Sequence, residues 1–337
     1  MAFFFHSAFA GEKQGKDGLI KRIEILEKEL LKLKQESYAR KKLALTEKEK
    51  TGVKRAEEIL NAGAKRYRLL KKQNMEFALG LVYDYLAVDK LKTESGYLVG
   101  VEHLKKHTLT GTTGLTYGLK NNVNVNARIP FVYKYEKVDS REETDLGDIS
   151  LGVEYQPFRE KGSWPSVVCS GSFSMPTGRS PFEINPEKEL STGNGYYSFR
   201  TGLNLSKVID PIVVFGGLSY TYKFDETGIN NRLTSSAVLK EVSPGDTVGY
   251  SIGLGYAISY NVSFSMQFQQ SYSFRTNYKY DTKSVSGSTS NTAMMIFGTG
   301  FRITPKQLLY LSIGAGLTGD SSDFIVSFRL PVEFSLK

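Results

Sequence analysis

Residues 247–275 read TVGYSIGLGYAISYNVSFSMQFQQSYSFR and contain two segments in which large apolar residues alternate with small or polar ones. In the first segment, every second residue from Val248 onward is aliphatic or aromatic, and glycine, serine or alanine stands between. After Tyr260 and Asn261 the alternation resumes with Phe264 and serine, glutamine or arginine on the other face. A period of two is the signature of a β-strand. Long strands with one apolar and one polar face are typical of a barrel that spans a membrane around a wet lumen.

The composition agrees with such a barrel. The 337 residues include 20 Tyr, 20 Phe and 32 Gly. The chain contains no run of about eighteen uncharged apolar residues, as a membrane helix would need. The net charge of +9 arises largely in the N-terminal third. Because no nucleic-acid-binding motif accompanies these cations, the sequence predicts no nucleic-acid partner. The single cysteine, Cys169, falls on the apolar face of a predicted strand and is interpreted as a small hydrophobic residue.

The alternation predicts twelve antiparallel strands and therefore an all-β transmembrane barrel over residues 75–337. The short connections, such as 120–122 and 260–261, are expected on the periplasmic side, and the long ones outside. The predicted long connections are 89–106, 136–145, 176–194, 225–246 and 276–291. The predicted strands lie near 75–88, 107–119, 123–135, 146–156, 166–175, 195–207, 212–224, 247–259, 262–275, 292–303, 308–317 and 323–336.

The N-terminal 50 residues predict export followed by a helix. Residues 1–10 read MAFFFHSAFA and are interpreted as the remnant of a signal peptide with an A-x-A-like cleavage site. Residues 11–50 contain a short seam of apolar residues with a spacing of four and three, which predicts a periplasmic coiled coil. We expect it to form a trimer, whereas a single amphipathic helix on another surface is the alternative. The oligomerisation residues are Leu19, Ile23, Leu26, Leu30 and Leu33.

Residues 51–74 predict a second, strongly cationic amphipathic helix directly before the first strand. It could act as a plug in the barrel mouth, with its cations facing carboxylates of the lumen. It could equally lie in the periplasm or contact anionic lipid headgroups. The cations assigned to the plug are Lys54, Arg55, Lys65, Arg66 and Arg68.

The inward faces of the strands carry charges of both signs. These charges could be structural, because buried ions need partners. They could also set a transverse field that selects polar cargo. The residues predicted to line the pore are Asp84, Arg128, Asp148, Glu154, Arg200, Arg302, Arg329 and Glu333. An enzyme is not predicted, because His103 and His107 flank the second strand outside any nucleophile motif. The sequence contains no metal or cofactor motif, so no catalytic, metal-binding or cofactor-binding residue is assigned.

Four segments carry a resemblance to a known family: LGDISLGVEY (146–155), SFSMPTG (172–178), GNGYYSFRTGLNLSK (193–207) and SSDFIVSFRLPVEF (321–334). They resemble outer-membrane barrels grouped as phenol-degradation (MetA-pathway) transporters. The overall layout also resembles the Fap-system exporters of functional-amyloid subunits. The resemblance implies a bacterial outer-membrane location and export of unfolded polypeptide, with the coiled coil serving assembly or gating. Two alternatives stay open: a passive channel for small hydrophobic or aromatic compounds, and a structural barrel that tethers a periplasmic partner.

Overall fold

A computed structural model of the chain describes residues 69–94, 97–137, 140–185, 188–209, 211–234, 237–259, 261–304 and 307–335. The predicted signal-peptide remnant, the coiled coil and residues 51–68 of the predicted plug lie outside these ranges. Residues 69–73 form an irregular segment that ends in a turn, so this part of the predicted helix is not helical. None of the described residues belongs to a helix long and apolar enough to cross a membrane.

The described residues form seventeen strands in two antiparallel sheets. Their bounds are β1 Asn74–Glu94, β2 Tyr97–Lys120, β3 Val123–Glu136, β4 Arg141–Leu146, β5 Ile149–Phe158, β6 Ser166–Met175, β7 Ser198–Ile209, β8 Ile212–Lys223, β9 Glu226–Thr234, β10 Ala237–Ser243, β11 Thr247–Ala257, β12 Val262–Ser273, β13 Asn277–Tyr280, β14 Ser284–Ser286, β15 Ser290–Thr304, β16 Gln307–Gly316 and β17 Phe324–Ser335.

The main sheet closes on itself as a barrel. Its strands follow the order β2-β1-β17-β16-β15-β12-β11-β8-β7-β6-β5-β3-β4, and β2 also pairs with β3. Because β4 and β5 both pair with β3 and follow each other along the chain, they occupy one position in the wall. The barrel therefore has twelve strand positions, as the sequence predicted. Pairing of β1 with both β2 and β17, and of β3 with both β2 and β5, closes the ring of strands.

The large apolar side chains face outward. Along β11 and β8, Ile252 is 59% exposed and Leu218 is 61% exposed, although both are in the middle of their strands. Exposed apolar side chains continue around the barrel, on a scale that water-facing surfaces of soluble proteins avoid. This surface is the apolar belt of a transmembrane barrel.

Gln270 is a polar residue on this face, and its amide has two partners. The hydroxyl of Tyr250 donates to Gln270 Oε1 at 2.7 Å, and Gln270 Nε2 donates to Asn291 Oδ1 at 2.8 Å. These three residues lie near the outer ends of β11, β12 and β15, where aromatic and polar groups meet the lipid headgroups.

Two predicted outer loops are strands instead. Residues 89–106 continue β1 and β2 as one long hairpin in which Asp89 is paired with His103. Residues 141–146 form β4, which pairs with the outer end of β3. The alternation signal is weak in both segments because these strand ends extend beyond the lipid-facing belt, and no lipid selects for an apolar face there. Two further outer segments, 226–243 and 277–286, form the separate sheet β14-β13-β10-β9.

Candidate functional site: the barrel lumen

The lumen wall is built from small and hydrophilic side chains. In the β11–β12 hairpin, Gly253 is paired with Gln267 and Gly255 with Ser265, and their neighbours along each strand point outward. Inward positions of β7 and β8 likewise carry Gly202, Asn204 and Gly217. Small residues at these positions keep free volume inside the barrel, and their hydroxyl and amide groups can bind water or a polar group of a solute.

One wall departs from this pattern near the periplasmic end. Val168, Val213 and Phe215 point inward, and they are only 1–2% exposed. The ring of Phe215 lies against Gly253, where a Cβ atom would overlap it. These three residues are an exception to the small or hydrophilic lining described above. The signal was present in the sequence, because β8 begins with four consecutive apolar residues, Ile212 to Phe215.

A cavity of about 440 Å³ lies against the inner faces of β7, β8, β11 and β12. Three glycines line it, Gly202, Gly217 and Gly249, and the side chains of Ser170, Asn204 and Ser219 lie over them. Arg200 also lines it, and its Nη2 donates to Ser219 Oγ at 3.0 Å. The cavity therefore combines small residues with hydroxyl, amide and guanidinium groups.

A second cavity, of about 330 Å³, lies on the other side of the barrel against β1, β2, β3 and β17. Arg128, Glu154 and Arg329 line it together with small residues. Arg329 Nη2 lies 3.3 Å from Glu76 Oε1, and Glu76 is 8% exposed. Charges of both signs thus meet on this wall, and the Arg329–Glu76 ion pair balances its own charges locally.

The remaining predicted pore residues on the strands occupy inward positions with polar neighbours. Asp84 accepts hydrogen bonds from Ser322 Oγ at 2.9 and 2.8 Å. Glu333 Oε1 accepts one from Asn74 Nδ2 at 2.6 Å. Arg302 alternates with the outward Phe301 and Ile303, which are 41% and 59% exposed. Glu76, the ion-pair partner of Arg329, was not among the predicted pore residues, although its inward position could be read from the alternation.

The barrel wall is interrupted between β4 and β5. Among the described strands, β5 pairs with β6, whereas β4 pairs with β3 alone. The loop of residues 176–197 lies against the interruption. Thr177 Oγ1 donates to the carbonyl oxygen of Gly147 at 2.8 Å, and Thr192 Oγ1 donates to that of Leu146 at 2.7 Å. The loop thus takes the place of a neighbouring strand.

Asp148 fixes this loop. Its Oδ1 accepts a hydrogen bond from the backbone N–H of Gly178 at 3.2 Å, and its Oδ2 accepts one from Asn194 at 2.7 Å. Asp148 is one of the residues predicted to line the pore, but its carboxylate binds the loop backbone. Strand alternation could not reveal this, because the strand is broken at Asp148 itself.

Two glycines make the close packing of the loop possible. A Cβ atom on Gly178 would lie 2.7 Å from the Cα of Gly193 and 2.9 Å from the carbonyl oxygen of Leu146. Lys134, at the outer end of β3, adds a hydrogen bond from Nζ to the carbonyl oxygen of Ser191 at 2.6 Å. The loop is therefore anchored at residues 176–178 and 191–194, and Pro176–Gly178 and Gly193–Asn194 also belong to the segments that carry the family resemblance.

The loop also packs on the outer sheet. Ile229, Leu239 and Val242 form a buried cluster against which Phe182, Tyr278 and Tyr280 pack. Asn231 Nδ2 donates to the carbonyl oxygens of Phe182 and Ile184 at 2.8 and 2.9 Å. We call the loop 176–197 together with β9, β10, β13 and β14 the outer cap.

Two tyrosines of the outer cap have perturbed acidities. Burial raises the pKa of Tyr196, and the nearby charges of Asp148 and of ionised Tyr278 raise it further. Burial also raises the pKa of Tyr278, with a smaller contribution from the charge of Tyr280. Both hydroxyls therefore resist ionisation to a higher pH than an exposed tyrosine does.

His107 faces outward rather than into the lumen. Its Nδ1 lies 2.8 Å from the hydroxyl of Tyr83, and its ring packs near Tyr85 and Tyr135 with centroid distances of 5.1 and 5.9 Å. It belongs to an aromatic cluster at the outer rim. Among the described residues, no group of His, Cys, Asp and Glu is placed to hold a metal ion. The predicted plug cations and the oligomerisation residues lie outside the described part of the chain.

Comparison with known proteins relates this barrel to others. A family model described as "Putative MetA-pathway of phenol degradation" matches residues 87–334. An outer membrane channel of Pseudomonas putida F1 has a similar fold, with a TM-score of 0.64 and 14% sequence identity over 80% of this chain and 99% of that one. The translocator domain of the autotransporter NalP from Neisseria meningitidis matches with a TM-score of 0.45 and 12% identity over 87% of this chain and 98% of that one. The fold is thus that of a bacterial outer-membrane barrel.

Proposed function

Because the chain belongs to the MetA-pathway phenol-degradation family, we propose that its barrel is an outer-membrane channel for small aromatic and other hydrophobic compounds. The family description names a phenol, which is an aromatic ring with one hydroxyl group. The lumen offers complementary groups for such a molecule. Of the interpretations left open by the sequence, this one has more support than polypeptide export.

The size and lining of the lumen cavities carry the proposal. Their volumes of about 440 and 330 Å³ are those of sites for small molecules. The small residues Gly217 and Gly249 leave room at the wall for a compact solute, while Ser219 and Gln267 can bind its hydroxyl group. An unfolded polypeptide would need a continuous wide path instead. Polypeptide export therefore stays a prediction. The trimer and the resemblance of the overall layout to Fap-system exporters also stay predictions.

The lumen charges have a supporting role in this proposal. Arg128, Arg200, Arg302 and Arg329 oppose Glu76, Glu154 and Glu333, and Asp84 lies near the outer mouth. We infer that they hold water in the lumen and orient the polar group of a solute, as charge pairs do in other selective pores. Replacing Arg200 by Gln is expected to shift the preference of the open channel toward cations. Lys279→Gln, which replaces an exposed cation of β13 in the outer cap, should leave the ion preference of the channel unchanged.

We also propose that residues 51–74 plug the periplasmic mouth. Support comes from the described end of this segment. Gln73 has a positive φ of 63°, and its N–H donates to the carbonyl oxygen of Gly118 at 2.9 Å. A Cβ atom on Gly118, an inward position of β2, would overlap the carbonyl oxygen of Lys71. Residues 71–73 thus lie against the inner face of the wall, which supports the proposal that the segment before them enters the periplasmic mouth.

Single-channel recording in planar bilayers tests the transport proposal. Phenol added to one side should interrupt the ionic current as it occupies the lumen, and cyclohexanol at equal concentration should do so less. Both compounds partition into the bilayer, so the aliphatic ring is a matched control. Equal effects of the two compounds would contradict an aromatic channel. If residues 51–74 form the plug, Gly118→Leu should displace the segment at Lys71 and increase the mean conductance. A conductance equal to that of wild type would contradict the plug proposal.

A further inference from the structure

The lipid-facing surface of the barrel carries an apolar groove of about 520 Å³ that transport through the lumen does not use. It crosses β2, β3, β5, β6 and β7. One side is a row of directly paired outward residues, Leu115, Ala127, Leu151, Phe173 and Phe199. The next row consists of Tyr117, Val125, Val153 and Gly171. The lining is thus aliphatic and aromatic.

The groove exists because two outward positions lack large side chains. Ala127 and Gly171 form its floor, whereas Leu115, Leu151 and Val153 around them are 43–49% exposed and project into the membrane. At Gly171 an added Cβ atom would meet only the ring of Phe199, at 3.5 Å. The small residue at this position is therefore not required by the packing of the barrel, which makes the concavity available to another molecule.

The dimensions match one hydrocarbon chain. Five neighbouring strands at about 4.8 Å spacing give a groove about 19 Å long. One leaflet of a bilayer with a hydrocarbon core of about 30 Å contributes chains that span about 15 Å. A groove that follows the hydrogen-bond direction is inclined to the membrane normal, because barrel strands tilt by about 40°. A single acyl chain laid along this direction is long enough to fill it.

The shape disfavours a second copy of the barrel as occupant. The outside of a barrel is convex, so a second barrel would rest on the projecting side chains of Leu115 and Phe199 and leave the floor at Gly171 uncovered. A flexible chain can instead follow the floor and replace the contacts that a void would lose.

The positive charges at the periplasmic end of the groove indicate which headgroup accompanies the acyl chain. The turns below the groove carry Lys120, Arg159 and Lys161, all of which are exposed. Arg159 Nη2 donates to the carbonyl oxygen of Asn121 at 2.6 Å, which holds the two turns together. We propose that the groove is a binding site for a phospholipid of the periplasmic leaflet, with one acyl chain between Ala127 and Gly171 and the phosphate near these cations.

Photo-crosslinking tests this site. The full chain is refolded into vesicles that contain phosphatidylglycerol with a diazirine at the end of one acyl chain. After irradiation, mass spectrometry should locate adducts mainly on the groove residues of β3, β5 and β6. In Gly171→Leu the groove is filled, and the adduct yield there should fall to that of the rest of the belt. Gly111→Leu is the matched control, because Gly111 is an outward glycine of β2 outside the groove with open space around it.

Two outcomes would overturn the proposal. One is a yield spread evenly around the belt, or unchanged in Gly171→Leu and in Ala127→Leu. The other is a fall in particle mass in detergent on filling the groove, because this would identify a second copy as the occupant. Current interruption by phenol is measured on the same variants. It should be unaffected by Gly171→Leu, so that failure of the lipid site and failure of the transport proposal are distinguishable.

Discussion

Two regions of the barrel wall are built by different means, and we call them the continuous half and the broken half. From β8 through β11 and β12 to β15 the strands pair without interruption, and their side chains alternate strictly between lipid and lumen. From β3 to β6 the wall is broken at Gly147 and Asp148, and the outer cap fills the break. The continuous half depends on the period of two. The broken half depends on a carboxylate, two threonine hydroxyls and paired glycines, each required at one position.

The largest effect is expected from removing the carboxylate that holds the broken half together. In Asp148→Ala, two hydrogen bonds from backbone N–H groups to a charged acceptor are lost, at about 1.5–3 kcal/mol each. Opening of the loop 176–197 should then become easier by about 3–6 kcal/mol, because charged acceptors are strong partners. The measurement is the rate of trypsin cleavage after Arg179 and Lys188, which should rise by about two orders of magnitude or more.

The control for this experiment is Asp281→Ala. Asp281 lies in the outer cap and accepts a hydrogen bond from the backbone N–H of Val238 at 3.2 Å. Asp281→Ala should increase the rate of cleavage in the 176–197 loop only slightly. Equal cleavage of both variants would mean that Asp148 does not anchor the loop, and the contrast between the two halves would lose its basis.

The continuous half is tested by moving one charge by one residue. An arginine at Ile252 faces lipid at mid-strand and should cost about 2–4 kcal/mol of stability. An arginine at Ser251, next to it, faces the 440 Å³ cavity and should leave stability nearly unchanged while reducing conductance. Equilibrium urea unfolding in bilayers measures the first effect and planar-bilayer recording the second. Equal destabilisation by the two substitutions would contradict the separation of the two faces.

A smaller effect is expected at Gln270, a polar residue on the lipid-facing side of the continuous half. Gln270→Leu removes the partner of both Tyr250 and Asn291, which should cost about 0.5–1.5 kcal/mol for groups that can still find water near the interface. The same unfolding assay measures it. Phe268→Leu, two residues along the same face, is the apolar control. A cost as large as that of Ile252→Arg would place Gln270 within the hydrocarbon layer.

The same contrast explains how much the sequence could predict. Alternation repeats along every strand, so the twelve strand positions and the outward side chains of Ile252 and Phe264 followed from the pattern. The break at Asp148 did not, because an aspartate that binds a distant loop looks the same in sequence as one that faces the lumen. The partners of Asp148 are 30 and 46 residues away along the chain.

The lumen was harder to predict than the lipid face for a physical reason. Lipid imposes one requirement on every outward residue, which is that it be apolar. The lumen admits residues as different as Gly249, Arg200 and Phe215. A polar partner can satisfy the arginine, as Ser219 does, and the Phe215 ring packs over Gly253. Strand alternation therefore gave the inward direction of Arg200 and Arg329, but it could not give the partners Ser219 and Glu76.

The smallest effect is expected from Tyr196 in the outer cap. Because its pKa is raised above the ordinary value of 10, chiefly by burial, the unfolded state ionises at a lower pH than the folded state. Its contribution to cap stability is complete below pH 10 and is lost as pH rises through the folded pKa. Protection of the 176–197 loop from proteolysis should thus decline less above pH 10 in Tyr196→Phe than in wild type, whereas Tyr155→Phe on the lipid face should behave as wild type. Identical decline in all three proteins would mean that alkaline loosening arises elsewhere, and that the broken half does not depend on a neutral tyrosine beside Asp148.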